Sequence, residues 1–419
     1  MKLFQQMFVA TVSLGLLAPI AAQASDFNIE GINSYVRKKS TSKRQKLFNS
    51  DSFNNELSTQ KVDSAIVKND IYEAGSFSDT TTLDSKAVFT LGAVNGPQHP
   101  PGTDLVDQST LATYMIQSNL NTSFTGDDNL YVRLKTGNST SWTTSSDYGT
   151  YLSSSKGNGD KVKVDKIWYT FPIGDNTFWI GGAIENYYMH ATTPSIYKPI
   201  TKKFTLGGNG AAYGASTNPG IGWAYKFDNG LAISSNAVSK TGDSTNGMFT
   251  EESDTSWATQ IGYTKPTYSA SLMINKKSNG WTDSYYTTVL GKARPDGGGS
   301  TNYGLRGWWR PEDSGTAIPS ISLGYDFSEI HQQVQDTSAY FVGLSWQDAI
   351  NPDDRIGLAF GQPQTRDDET VDPFAWEAYY SYQLNDSVNV TPAIFGTSDF
   401  NGTDKRDIYG AVLETTFKF

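Results

Sequence analysis

Alternation with period two runs through most of this chain, and it is plainest in the stretch Asp407–Phe419. Tyr409, Ala411, Leu413, Thr415, Phe417 and Phe419 make one largely apolar face, while Gly410, Glu414, Thr416 and Lys418 fall on the other. Successive side chains of a strand point to opposite faces, so the pattern predicts a strand with a different environment on each side. Aromatic residues near both ends of the apolar face suit a strand that crosses both interfaces of a bilayer. The same alternation recurs at Ala87–Leu91, Tyr114–Phe124, Leu130–Leu134, Ile167–Phe171 and Phe178–Ile184. It continues at Ile221–Phe227, Leu231–Ile233, Trp257–Tyr263, Tyr268–Ile274, Tyr303–Trp309, Pro319–Phe327 and Tyr340–Trp346. Ile356–Phe360, Phe374–Leu384, Val388–Ile394 and Tyr409–Phe419 complete sixteen predicted strands.

The connectors alternate as well. Tight turns such as TGDDN (125–129), PIGDN (172–176), FDNG and TKPT join strands at one end, and loops of roughly 9–30 residues join them at the other. Short turns on one rim and long loops on the other are a property of outer-membrane barrels. Residues 284–292 could form a further strand, but single-chain bacterial barrels are even-stranded, so this segment is assigned to a loop. The expectation for residues 77–419 is an all-β, antiparallel, up-and-down transmembrane β-barrel of about sixteen strands. The terminal strand should close the ring against Ala87–Leu91 and abolish both sheet edges. A secreted sandwich would explain the alternation but not the two classes of connector.

The beginning of the chain reads differently. Lys2, the apolar run from Met7 to Ile20 and the small-x-small triplet Ala22-Gln23-Ala24 predict a signal peptide over residues 1–24. Residues 25–76 are polar, with a basic cluster of Arg37, Lys38, Lys39, Lys43, Arg44 and Lys46. A short helix is expected over 53–72, where Leu57, Val62, Ala65, Ile66 and Tyr72 share one face. This periplasmic segment could contact peptidoglycan or other anionic cell-wall groups, or simply stay solvated.

Composition narrows the chemistry. There is no cysteine, which excludes disulfides, thiol nucleophiles and thiolate metal sites, and the three histidines are far apart in sequence. No Ser–His–Asp arrangement or HExxH motif is present, so no enzyme, cofactor or metal is expected. Asp353-Asp354 and Asp367-Asp368-Glu369 read as solvated turn residues. A net charge of −10 argues against a nucleic-acid partner.

If the apolar set faces lipid, the opposite parity lines a lumen. That places Arg133, Lys135, Lys166, Lys226, Arg306, Arg310 and Arg355 inside, with Glu185, Asp326, Glu377 and Glu414. The lumen leans basic although the chain is acidic, and charged rings set the ion preference of a channel. Arg133, Lys166 and Arg306 fall near mid-strand, where a constriction is expected. Trp168, Trp179 and Trp308 share the inward parity; they could stack on sugar faces or pack beneath an infolded loop. Residues 189–218 are the candidate for that loop, with Gly207, Gly208 and Gly210 to let it fold back and Lys198, Lys202 and Lys203 to add positive charge.

Several stretches are similar to a known family. The opening MKLFQQ, SDFNIEGINSY, EAGSFSDTTTLDSKAVFTLGAV (73–94), AYFVGLSWQDAI (339–350), IGLAFGQPQ (356–364) and WEAYYSYQLNDSVNVTPAIF (376–395) resemble cyanobacterial outer-membrane porins of the carbohydrate-selective porin family, OprB-like and also described as iron-uptake porins. The resemblance implies a sixteen-stranded, trimeric barrel in the outer membrane that passes sugars, inorganic ions or iron species. It also implies that Phe419 is the signal read by the barrel-assembly machinery. Many members carry an S-layer-homology domain, for which residues 25–76 leave no room. The functional expectation is a passive porin; a structural barrel or envelope tether, and a secreted glycan-binding β protein, are the alternatives.

Overall fold

A computed structural model describes residues 78–419 apart from 79, 97–109, 146–148, 209, 215, 216, 284, 296, 333 and 334. The expected signal peptide, basic segment and short helix lie outside the described residues. The strands are β1 (Thr81–Asn95), β2 (Leu111–Thr122), β3 (Asn129–Gly137), β4 (Lys163–Ile173), β5 (Asn176–Glu185), β6 (Thr217–Lys226), β7 (Leu231–Ser239) and β8 (Thr255–Lys265). They continue as β9 (Tyr268–Lys277), β10 (Ser300–Trp309), β11 (Ser320–Ile330), β12 (Thr337–Gln347), β13 (Arg355–Arg366), β14 (Phe374–Asn385), β15 (Val388–Ser398) and β16 (Ile408–Lys418). Each pairs antiparallel with its sequence neighbours, and β1 pairs with β16, so the sheet is a closed barrel.

The closing seam sets Ala87 opposite Phe417, Phe89 opposite Thr415 and Leu91 opposite Leu413. Beyond the last strand residue, the Phe419 amide donates to the Ser85 carbonyl at 3.0 Å, and the Ser85 amide donates back at 2.8 Å. The Phe89 and Phe417 rings meet on the outer face with centroids 5.3 Å apart. With no free edge, each of the sixteen strands has a hydrogen-bonded neighbour on both sides, the condition for standing in an apolar medium.

The two faces invert the soluble pattern. Outside, Phe89, Ile180, Ile221, Ile261, Leu305 and Leu323 are exposed. Inside, Ser234, Gln260, Asn275, Asn302, Asp326 and Glu377 are almost wholly covered. Apolar residues at the surface and polar ones within are the arrangement of a barrel immersed in hydrocarbon.

Carboxylates organise the turns. Asp128, between β2 and β3, accepts hydrogen bonds from the amides of Phe124 (2.9 Å) and Thr125 (2.8 Å) and the hydroxyls of Ser123 (2.8 Å) and Tyr169 (2.6 Å). Asp354, between β12 and β13, accepts from the amides of Ala349 and Asn351, both at 2.8 Å, and from the Tyr380 hydroxyl at 2.9 Å. Asp354 therefore caps its own turn.

The expected contrast between connectors holds less strictly than the alternation does. Residues 310–319 make an extended connector on the turn rim, held because the Arg310 side chain donates to the Pro266 carbonyl and its amide to the Thr267 carbonyl. On the other rim, 331–336 and 367–373 are short. Residues 285–292 form bends and turns, with only an isolated parallel bridge between Thr287 and Gln364. A β-bulge also overturns one outward assignment. The register slips between Gly181 and Ile184, so Ile184 is buried inside the barrel instead of facing out.

Burial alone would raise the affinity of Asp128 for a proton, but its hydrogen bonds from Tyr169, Thr125 and Ser123 outweigh this and hold the carboxyl well below the usual range. A carboxyl depressed in the folded state stabilises fully above its unfolded value, and that stability is lost as pH falls toward the folded value. Asp128→Ala is expected to cost about 1.5–3 kcal/mol. A lower temperature for conversion of the folded band on detergent gels would register the loss at neutral pH, and the difference from the native chain should shrink in acid.

Candidate functional site

The described residues of the β5–β6 loop, 186–208 and 210–214, do not project from the barrel but lie across its interior. The inner wall leaves room for them at glycines. A Cβ on Gly324 would lie 1.6 Å from the Gly207 carbonyl oxygen, and one on Gly262 would lie 2.2 Å from Thr192 Oγ1. The loop backbone can therefore rest directly on β11, and the loop side chain Thr192 on β8.

Once there, the loop takes its hydrogen-bond partners from strand side chains. The Ala191 amide donates to Ser234 on β7 at 3.0 Å. Thr192 exchanges two bonds with the Gln260 amide group on β8, at 2.8 and 2.9 Å. Trp308 on β10 donates to the Thr193 carbonyl at 3.1 Å, and the Ile196 amide donates to Ser322 on β11 at 3.1 Å. Arg306 donates to the Leu206 carbonyl at 2.9 Å and to Asp326 at 2.7 Å.

Glu377 on β14 is the strongest anchor. Its carboxylate accepts from the amides of Ile200 and Thr201 (both 2.9 Å), the Thr201 hydroxyl (2.7 Å) and the Tyr197 hydroxyl (3.0 Å). Beyond it, Lys203 donates to Thr397 on β15 at 2.6 Å. The β3–β4 loop joins the same plug. Ser153 donates its amide to the Ile200 carbonyl at 2.8 Å, Lys202 donates its amide to the Tyr151 carbonyl at 2.7 Å, and Trp142 packs on Phe395. His190, also in the infolded loop, is pushed down to about 3 by burial and so adds no charge near neutral pH.

The plug fills one side of the barrel and leaves an eccentric cavity of about 530 Å³ against β1–β5. Six basic side chains line it, Lys86, Arg133, Lys135, Lys156, Lys198 and Lys202, against two carboxylates, Asp165 and Glu185. Tyr151, Tyr187, Tyr188, Tyr197 and Tyr285 supply its aromatic surface. Arg133 Nε donates to Asp165 at 2.8 Å and Lys156 Nζ at 2.6 Å, while Lys166 pairs with Glu185.

Of the residues expected at a constriction, Arg133, Lys135 and Glu185 line this cavity. Lys166 does not: it is fully covered, with its ammonium 4.2 Å from the Tyr188 ring centre. Arg306 is likewise covered by the loop it holds, and Glu377 is an anchor with no exposed surface. Trp168 and Trp179 pack with Tyr131, Ile184, Tyr188 and Met189 under the loop, and Trp308 is spent on Thr193. The tryptophans are therefore floor for the plug and not a stacking platform. Lys226 and Arg355 stand near strand ends, and Glu414 is bonded by Ser154. Phe419 is exposed at the rim.

Sequence reading missed Lys86, Lys156 and Asp165. Lys86 obeys the alternation and could have been found by carrying β1 back one turn of the pleat. Asp165 could not. Arg133 pairs with Lys166 but the next β3 residue pairs with Val164, so Asp165 is the extra residue of a bulge and turns inward against its parity. Lys156 comes from a loop, where no parity rule applies.

No family model matches the chain. The uncharacterized protein alr4550 of Nostoc sp. is 25% identical over 425 residues, covering 88% of this chain and 70% of that protein. The uncharacterized protein sll0772 of Synechocystis sp. is 24% identical over 381 residues, covering 80% and 68%. Among solved structures, the barrel is similar to OprB of Pseudomonas putida, with a TM-score of 0.58 and 11% identity over 81% of this chain and 94% of that one. It is also similar to the outer membrane channel DcaP of Acinetobacter baumannii, with a TM-score of 0.53 and 13% identity over 81% and 97%. A mutant of the Rh. blastica porin gives 0.52 and 10% identity over 81% and 100%. The shared property at these identities is the fold, a sixteen-stranded barrel of the porin type.

Hydrogen bonds to a charged group contribute about 1.5–3 kcal/mol each, so removing the Glu377 carboxylate should release the loop and leave the ladders intact. In Glu377→Ala, hydrogen exchange at the Ile200 and Thr201 amides is expected to accelerate by orders of magnitude, with strand amides unchanged. Gly324→Leu should give the same local opening by steric displacement.

Proposed function

We propose that this protein is an outer-membrane porin through which small hydrophilic solutes diffuse passively, with a preference for anions. The observation that carries the reading is the basic cavity of about 530 Å³ inside a closed barrel whose outer face is apolar. Low-dielectric walls focus the field of lining charges, so an excess of ammonium and guanidinium groups attracts anions and repels cations. Neutral sugars pass by size and by hydrogen bonding to the lysines and tyrosines. A bare ferric cation is disfavoured by the same field, so an iron species fits this channel only as a neutral or anionic complex.

In this reading the turn rim faces the periplasm, with residues 25–76 on that side and in reach of the cell wall. The loop rim faces outward, and the barrel assembles as a trimer. The resemblance to cyanobacterial porins supports these placements. Phe419, at the end of the closing seam, is the residue proposed to be read by the assembly machinery.

Planar-bilayer recordings test the proposal. Discrete conductance steps are expected, with a reversal potential in a potassium chloride gradient that gives chloride the larger permeability. The triple variant Lys86→Glu, Lys135→Glu, Lys202→Glu should move the preference to potassium. Absence of steps from correctly folded protein would leave a structural barrel as the better reading.

A further inference from the structure

The cavity gathers positive charge from separate elements in a way that diffusion alone does not require. Lys86 comes from β1, Lys135 and Arg133 from β3, and Lys202 from the infolded loop. Lys135 lies within electrostatic range of all three. Like charges brought together beside low-dielectric walls repel one another, and the basic side chains lining the cavity outnumber its carboxylates. Asp165 is bound by Arg133 and Lys156 and Glu185 by Lys166, while Glu414, which accepts from the Ser154 hydroxyl, lies within electrostatic range of Lys86 and offsets part of its charge. Lys202 is also held in place. Its ammonium sits 4.4 Å from the Tyr151 ring centre and 4.9 Å from that of Tyr285, so two other loops aim it.

We infer that Lys86, Lys135 and Lys202, with Arg133, form a binding subsite for a small multivalent oxyanion, a phosphate, phosphate monoester or dicarboxylate, that bridges the strand wall and the loop. A monovalent ion can neutralise one of these groups; only an ion with two or more charged oxygens reaches both sides at once. Such a solute binds during passage, so transport of it saturates and it obstructs the chloride current while resident. The inference rests on the porin reading and goes beyond it in naming a solute class.

The test is chloride current through the full-length protein in planar bilayers, with glucose 6-phosphate, inorganic phosphate, succinate or glucose added. Saturable block by the anions and none by glucose is the expected result. Block by the phosphates without succinate also supports the subsite and narrows its class. In Lys135→Gln/Lys202→Gln the half-blocking concentration should rise about tenfold, while Lys135→Arg/Lys202→Arg retains block. A folded band on detergent gels verifies each variant. Steady currents without block in the native protein, equal block in the Gln variant, or equal block by glucose would each overturn the subsite while leaving the porin reading in place. No current steps at all would overturn the porin reading, and the subsite with it.

Discussion

A strand facing hydrocarbon has nowhere to place an unpaired amide, and each one left over costs several kcal/mol. The seam between β1 and β16 meets that constraint, since it removes the sheet edges on which such groups would stand. Much else depends on it. Only a closed ring can turn Phe89, Ile261 and Leu305 outward while Gln260, Asn302 and Glu377 are shielded within. The terminal strand matters here for a plain reason: its partners lie at the opposite end of the described barrel in sequence. Ser85 and Phe419 exchange backbone hydrogen bonds across that separation.

A ring of this size creates a second constraint, because its polar inner face must itself be satisfied. The β5–β6 loop answers it. Backbone groups from Ala191 to Leu206 take partners on β7, β8, β10, β11 and β14, so the wall and the loop satisfy each other. Glycines at 262 and 324 make the approach sterically possible. The consequence is an off-centre cavity. Arg306 and Glu377, on the β7–β14 side, bond to the loop, with Asp326 paired to Arg306, whereas Lys86, Arg133 and Lys135 on β1 and β3 border the cavity. Which interior charges border the cavity thus follows from which half of the lumen the loop covers.

Strand existence, strand number and the facing of most side chains were legible in the chain because each is a local property with period two. Tyr409 and Phe417 point outward and Glu414 inward in the sequence pattern as in the folded barrel. Parity also puts Arg133, Lys135 and Glu185 on the inner face, and there they border the cavity. Parity failed where the backbone adds a residue. Asp165 and Ile184 sit at bulges, and a bulge leaves no signature in alternation until the neighbouring strand shows which residue lacks a partner.

A closed, sixteen-stranded barrel with a polar interior and a long glycine-bearing loop between β5 and β6 can be read from the chain alone. What each interior charge does is set by contacts made in the folded barrel. Lys166 and Lys135 share a parity and a side-chain type, yet one is sealed against Glu185 and Tyr188 while the other borders the cavity. Arg306 and Arg133 differ in the same way. Alternation reports which face of the sheet a residue occupies; whether that face meets water or a loop depends on contacts between residues far apart in the chain, such as Glu377 with Thr201.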